Sequence, residues 1–230
     1  LVAAIAVIGI VPYISIQLKA VAASLQVIIS GPLWSEDILN PGHGIDELSI
    51  LVAVTMGAFA ILFGTRHIDT TEHQDGMILA IAVESIVKLV AFIAVGLFVV
   101  YGIMGGWGSF LERAGSDPQV AGLYTKGLDG GRWLTMTFLA ACAIILLPRQ
   151  FHVAAVENAS SGEIRRAAWL FPAYLVAINL FVIPIAVAGL LTLPLGSDSD
   201  TFVLALPVDA RSELFTMVAF LGGLSASTAM

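Results

Sequence analysis

Long apolar stretches are the feature of this sequence that most restricts its fold. A helix needs about 20 mainly apolar residues to cross the roughly 30 Å hydrocarbon core of a bilayer. Six stretches reach or approach that length, over residues 1–29, 47–64, 77–103, 132–156, 166–193 and 212–230. None shows the alternation of polar and apolar residues that is typical of membrane β-strands. The sequence therefore predicts an all-α membrane protein, a polytopic helical bundle in which residues 1–230 form one transmembrane domain with about six spans.

The composition excludes several other classes of protein. Hydrophobic residues make up 58% of the chain and charged residues 12%, whereas soluble domains carry about 25% charged residues. The formal net charge of −7 is unfavourable for contact with a phosphate backbone. Cys142 is the one cysteine of the sequence, so no disulfide can form within it. These values exclude an ordinary soluble enzyme, a disordered tail and a nucleic-acid-binding protein, and they make the lipid bilayer the first expected partner.

The charges of the loops predict an orientation. Loops 65–76 and 148–165 carry arginines, whereas loops 30–46 and 194–211 are mainly acidic. Because short cytoplasmic loops are enriched in Lys and Arg, we place loops 65–76 and 148–165 in the cytoplasm, in a multi-pass protein of the inner (plasma) membrane. Both ends of the sequence lie inside apolar stretches, and we expect it to be part of a longer protein.

Two opposite charges lie inside the third apolar stretch. A charge at the centre of a membrane helix costs about 2.5–3.5 kcal/mol on insertion scales, yet Glu84 and Lys88 both occur within residues 77–103. Their spacing of four residues places them on one helix face with the acidic residue first, which favours an ion pair. Such a pair either locks this helix against a neighbour or lines a polar pathway, and the sequence leaves both interpretations open.

Polar residues also mark the first apolar stretch. Tyr13, Gln17 and Ser24 fall at helical spacing, and Lys19 follows on another face. A polar stripe of this kind either joins two membrane helices by hydrogen bonds or lines a ligand site.

A proline interrupts the fourth apolar stretch. Pro148 removes a backbone hydrogen bond and is followed by polar residues as far as His152. Broken helices at membrane depth occur where they line cavities, and transporters place substrate sites at such breaks. The alternative is that the helix ends near Pro148, with Arg149 and His152 at the cytoplasmic interface.

Four segments of the sequence resemble the sodium/solute symporter family, and more specifically its branch that is fused to bacterial sensor histidine kinases. The segments are Pro12-Tyr13 with Gln17-Leu18-Lys19-Ala20; Phe63-Gly64-Thr65-Arg66-His67 with Asp69, Thr71 and Glu72; Val83-Glu84-Ser85 with Val87-Lys88-Leu89; and Leu147-Pro148-Arg149-Gln150-Phe151-His152 with Val156-Glu157-Asn158.

The resemblance implies a LeuT-type inverted-repeat fold, of which this chain would hold core helices three to eight. It implies the input domain of a membrane histidine kinase that binds a small polar solute such as an amino acid, with or without translocating it. A cytoplasmic kinase domain in the same parent chain and a response regulator are the implied partners. No catalytic residue is expected in this sequence itself. The alternative is a sodium- or proton-coupled solute symporter without kinase function.

The resemblance also suggests roles for the polar residues. Tyr13, Gln17 and Lys19 would lie near the solute or its pathway, and Glu84 and Lys88 would form a coupling pair. The segment from Pro148 to His152 would act as a gate.

A candidate sodium site follows from the same resemblance. In sodium-coupled members, the eighth core helix supplies a backbone carbonyl and two adjacent hydroxyl groups. The candidate positions are Ala219, Gly222, Gly223, Ser225, Ser227 and Thr228. One register places glycines at the two hydroxyl positions, which removes these ligands, and another places Ser227 and Thr228 there. The coupling ion, sodium or proton, stays open, and no other cofactor is expected.

Overall fold

The computed structural model of the chain describes residues 2–29, 44–63, 75–125, 129–146, 151, 160–194 and 196–228. Within this part of the chain the regular structure is helical, without strands. The α-helices are α1 (Val2–Ile29), α2 (Gly44–Phe63), α3 (Asp75–Leu97), α4 (Trp107–Ser116), α5 (Pro118–Thr125), α6 (Gly130–Leu146), α7 (Ser161–Asn179), α8 (Val182–Thr192), α9 (Phe202–Asp209) and α10 (Glu213–Thr228). A π-helix, Phe98–Ile103, follows α3, and a 3₁₀-helix, Ser199–Thr201, precedes α9.

Three helical segments are long and apolar enough to cross a membrane. They are Val7–Ile29, Ile78–Ile103 and Gly162–Thr192, with 23, 26 and 31 residues. Two shorter apolar helices cover Leu48–Ala58 and Glu213–Ser225. The predicted all-helical class is therefore confirmed, with three candidate spans among the described residues. The number of six spans and the LeuT-type topology stay predictions.

The third of these segments contains a break, where α7 gives way to α8. Pro184 lacks an N–H, and its ring would clash with the carbonyl of the residue four positions earlier, Leu180, in a continuous helix. The chain therefore turns at Leu180 and Phe181, where the Leu180 N–H reaches the Ala177 carbonyl at 3.4 Å. Helix geometry resumes where the Ile185 N–H donates to the Phe181 carbonyl at 2.9 Å.

The end of α3 is irregular as well. The helix widens to the π-form over Phe98–Ile103 and closes where the Met104 N–H donates to the Val99 carbonyl at 2.9 Å. Gly105 and Gly106 follow with φ of 79° and 104°, a region that side chains with a Cβ disfavour. These two glycines therefore let the chain leave the span and start α4.

The main apolar core lies where α3 and its π-helix meet α8 and α9. Val95, Val99 and Val100 are fully buried there, and Phe181 and Phe202 are each 5% exposed. Both rings sit against glycines, because a Cβ on Gly96 would overlap Phe181 and a Cβ on Gly189 would overlap Phe202. These glycines set the distance of closest approach between the helices, as small residues do in membrane bundles.

Large apolar side chains cover the outer faces of the helices. Ile61 is 84% exposed, Trp169 80% and Ile8 72%. Extensive exposed apolar surface marks a contact with another molecule or with a membrane. Ile8 and Trp169 lie on segments that are long enough to span a membrane, whereas Ile61 lies on the shorter helix α2.

Candidate functional site

A cavity of about 330 Å³ lies between α1, α3 and α10. Its α1 wall consists of Gln17, Ala20, Val21 and Ser24. This spacing of three, four and seven residues is the repeat of one helix face. Two members of the polar stripe predicted on α1, Gln17 and Ser24, therefore line the cavity.

The α3 wall has the same spacing. It consists of Lys88, Ala91, Phe92 and Val95. Lys88 is the charged residue of this wall, and Val95, which is fully buried, joins it to the apolar core. The cavity is therefore continuous with the packed region at one end and carries an ammonium group at the other.

Glycines form part of the α10 wall. Gly222 and Gly223 line the cavity beside Ala219 and Phe220. A Cβ on Gly222 would lie 2.7 Å from the Cβ of Ala91, whereas a Cβ on Gly223 would have no neighbour within 4 Å. Gly222 thus permits the close approach of α10 to α3, and Gly223 leaves open space on the cavity side.

The connection between α8 and α9 covers part of the cavity with Asp200 and Thr201. Asp198 holds this short 3₁₀-helix: its carboxylate accepts the Asp200 N–H at 3.1 Å, and its carbonyl accepts the Thr201 hydroxyl at 2.7 Å. Phe202, the next residue, is anchored on Gly189. The backbone on both sides of Asp200 is therefore fixed.

Lys88 forms the ion pair that its spacing from Glu84 predicts. Lys88 Nζ lies 3.7 Å from Glu84 Oε1, and the two side chains are only 18% and 17% exposed. The separation exceeds hydrogen-bond length, and no described residue accepts a hydrogen bond from Nζ. Glu84 itself does not line the cavity.

Two hydrogen bonds connect α3 to its neighbours one turn away from Lys88. The Ser225 hydroxyl of α10 donates to the Glu84 carbonyl at 3.3 Å. The Tyr174 hydroxyl of α7 donates to the Ser85 carbonyl at 3.4 Å. Side-chain bonds of this type are the usual polar contacts between membrane helices, and here they fix the α3 segment that carries the ion pair.

The structure brings together only some of the predicted site residues. Gln17, Lys88, Ala219, Gly222 and Gly223 line one cavity. Tyr13 and Lys19 are exposed on α1 and do not line it. Pro148 and His152 lie outside the described residues, so the predicted gate stays a prediction.

The candidate sodium positions divide between the two registers of α10. The register with Gly222 and Gly223 provides no side-chain oxygen at the cavity. The Ser225 hydroxyl contacts a backbone carbonyl of α3. For Ser227 and Thr228 the structure describes the helical backbone but not the side chains. Within the described residues, no group of three or more His, Cys, Asp or Glu side chains could hold a metal ion.

Asp200 and Thr201 are cavity residues that sequence reasoning did not single out. Asp200 belongs to the run Ser197-Asp198-Ser199-Asp200 in the acidic loop 194–211, and such a run by itself indicates only an acidic turn. Asp198 indeed stabilises a turn. The role of Asp200 depends on how this connection folds back over α1 and α3, and no periodic pattern in the sequence encodes that contact.

The fold and the cavity define an all-helical protein with apolar, membrane-length helices around a partly polar internal space. Comparison of the chain with protein-family models, with curated proteins and with solved structures finds no match.

Proposed function

We propose that the chain is a transporter-like membrane domain whose cavity binds a small polar solute such as an amino acid. The observation that carries the proposal is the cavity itself, which combines apolar walls with Gln17, Lys88 and Asp200. Ligand sites are typically apolar pockets of about 300–1,000 Å³ with a few placed polar groups. A volume of about 330 Å³ therefore suits a small solute.

The unused hydrogen-bonding capacity of the lining supports the same function. Ser24 and Thr201 donate to carbonyls of their own segments at 2.8 and 2.7 Å. Gln17, Lys88 and the Asp200 carboxylate have no hydrogen bond to any described residue. Gln17 and Lys88 are half-buried, and a half-buried polar group whose hydrogen bonds are not made costs free energy. A bound polar solute would supply those hydrogen bonds.

The helix break beside the cavity is a further argument. Ile178 lines the cavity two residues before the turn at Leu180. Secondary transporters place their substrate sites beside discontinuous helices, because irregular backbone at membrane depth requires an enclosed or hydrated surrounding.

The finer proposal is that this domain is the input part of a membrane histidine kinase. It rests on the four segments that resemble the kinase-fused symporter branch, two of which lie on the α1 and α3 helices that form the cavity. Solute occupancy would then be relayed to a cytoplasmic kinase domain of the same parent chain and on to a response regulator. A solute-dependent change in autophosphorylation of the full-length protein tests this relay, whereas uptake into proteoliposomes without such a change favours a symporter.

Solute binding is tested by thermal unfolding of the full-length protein in lipid nanodiscs. The panel comprises the proteinogenic amino acids, D-glucose and sodium acetate. A solute that binds only the native state at a hundred times its Kd stabilises it by about 2.7 kcal/mol, so at least one amino acid is expected to raise Tm. No increase with any member of the panel would overturn the proposal.

Two glutamines of α1 provide a matched pair of variants for this assay. Gln17→Leu removes a polar group from the cavity, whereas Gln26→Leu makes the same change at a position that does not line it. The solute-induced rise in Tm is expected to shrink only in Gln17→Leu. An equal loss in both variants would place the binding elsewhere.

A further inference from the structure

We infer that the cavity selects a zwitterionic solute, with the anionic group of the solute on Lys88 and its cationic group on Asp200. This inference rests on the proposed function and adds the charge requirement of the ligand and the two residues that impose it. Among the described residues that line the cavity, Lys88 and Asp200 are the charged ones, and they have opposite signs.

Lys88 provides the anion-binding half. Its ammonium carries three N–H donors, and its side chain is only 18% exposed. Glu84 balances the charge from 3.7 Å but accepts no hydrogen bond from it. Carboxylate oxygens of a solute in the cavity would accept those bonds. Because Glu84 lies outside the lining, it can hold Lys88 in place without contacting the solute.

Asp200 provides the cation-binding half. The hydrogen bond of this residue to Asp198 uses its backbone N–H, so both carboxylate oxygens are available as acceptors. The residue is exposed, whereas Lys88 is mostly buried. The negative group thus lies at the rim of the cavity and the positive group inside it.

The two charges do not neutralise each other directly. Within the described part of the chain, the ion pair of Lys88 shorter than 4.0 Å is with Glu84, and none joins it to Asp200. Lys88 and Asp200 line the same small cavity without contacting each other. This arrangement is complementary to a solute with two oppositely charged ends. A solute with a single charge would leave Lys88 or Asp200 without a hydrogen bond to the solute, and a site that loses such a bond discriminates against the analogue that lacks it.

The inference is tested with analogues of the amino acid that binds most tightly in the panel above. Its C-terminal amide keeps only the ammonium group, and its N-acetyl form keeps only the carboxylate. Isothermal titration of the full-length wild-type protein in nanodiscs is expected to show each analogue binding about 10- to 100-fold more weakly than the parent amino acid. No variant has to fold for this result.

Four variants then assign the charges to residues. Lys88→Met is expected to abolish the preference for the amino acid over its amide, and Asp200→Asn the preference over its N-acetyl form. Lys19→Met and Asp209→Asn change the same residue types outside the cavity and are expected to keep both preferences.

Failure of the charge requirement and failure of the proposed function give different results in these titrations. If the amide or the N-acetyl form binds as tightly as the amino acid, the charge requirement is wrong while the proposed function stands. If the preference for the amino acid over its analogues persists in both Lys88→Met and Asp200→Asn, other residues bind the charged groups of the solute and the assignment is wrong. If no amino acid of the panel binds, the proposed function itself fails.

Discussion

The two halves of the span Ile78–Ile103 are packed in different ways. Towards its C-terminal end, Val95, Val99 and Val100 are fully buried against α8 and α9. Towards its N-terminal end, Lys88 and Phe92 face a cavity. One continuous helix therefore combines a closed apolar core with an open polar space. Because protein interiors are normally close-packed, the open half marks where the molecule has room for a ligand.

The boundary between the halves coincides with the two helix irregularities. Gly96 lies two residues before the π-helix and receives the ring of Phe181, which lies at the break between α7 and α8. π-Helical turns and broken helices are frequent at functional sites. The closed half therefore anchors both irregular segments, and the open half holds the cavity in which the proposed solute would bind.

The largest effects are expected from added methyl groups in the closed half. Gly189→Ala and Gly96→Ala would force Phe202 and Phe181 away, and overpacking of this kind costs about 1–3 kcal/mol. Gly223→Ala is the matched change in the open half, where a Cβ has no neighbour within 4 Å, and it is expected to leave stability unchanged or slightly higher. Chemical unfolding of the full-length protein measures all three, and equal losses would contradict the comparison.

An effect of similar size, on solute binding rather than on stability, is expected in the open half when its mostly buried charge is removed. Lys88→Met should weaken solute binding about 10- to 100-fold, because a hydrogen bond to a charged group contributes about 1.5–3 kcal/mol. Asn179→Leu is the control, since the Asn179 amide is exposed and donates to the Leu175 carbonyl of its own helix at 2.7 Å. Titration of both variants measures the difference. If Lys88→Met and Glu84→Gln both leave solute uptake and signalling intact, the ion pair has only a structural role within α3.

The smallest effect is expected where α7 contacts α3. Tyr174→Phe removes the hydrogen bond to the Ser85 carbonyl and should cost about 0.6 kcal/mol, the average for such bonds between membrane helices. Tyr13→Phe removes the hydroxyl of a tyrosine that is 49% exposed, and no loss is expected. The same unfolding assay compares the two, and a loss above about 2 kcal/mol in Tyr174→Phe would show that this contact does more than join two helices.

Local periodicity accounts for the parts of the fold and site that the sequence predicted. The apolar stretches correspond to the helices, and the spacing of four residues produced the Glu84–Lys88 pair. Gln17 and Ser24 of the α1 stripe line the cavity, whereas Tyr13, one turn further towards the N-terminus, does not. A helical repeat identifies a face, whereas the length over which that face is covered depends on neighbouring helices.

Long-range contacts account for the parts that the sequence did not predict. Asp200 reaches the cavity because Phe202 fits against Gly189 on another helix. The apolar sequence after Leu97 also contains no local pattern that predicts a π-helix. The break at Leu180 depends on Pro184, which the sequence shows, and on the contact of Phe181 with Gly96, which it does not. Each of these features depends on a pairing of distant residues that no single segment specifies.

Protection of a cysteine in the cavity wall tests whether the solute occupies this cavity. Ser24 and Ser15 are matched serines of α1, since each hydroxyl donates to the carbonyl four residues earlier, at 2.8 and 2.9 Å. Ser24 lines the cavity, whereas Ser15 is exposed on the outside of the helix. Each is changed to cysteine after Cys142, the one cysteine of this sequence, has been replaced by serine together with any other cysteine of the full-length protein.

The reagent is 2-sulfonatoethyl methanethiosulfonate, whose charge keeps it in water. Ser24→Cys is expected to be labelled, and the best-binding amino acid is expected to slow this labelling. Any labelling of Ser15→Cys, which lies outside the cavity, is expected to proceed at the same rate with and without the amino acid. Labelling of Ser24→Cys at the same rate with and without a saturating amino acid would show that the solute does not occupy this cavity.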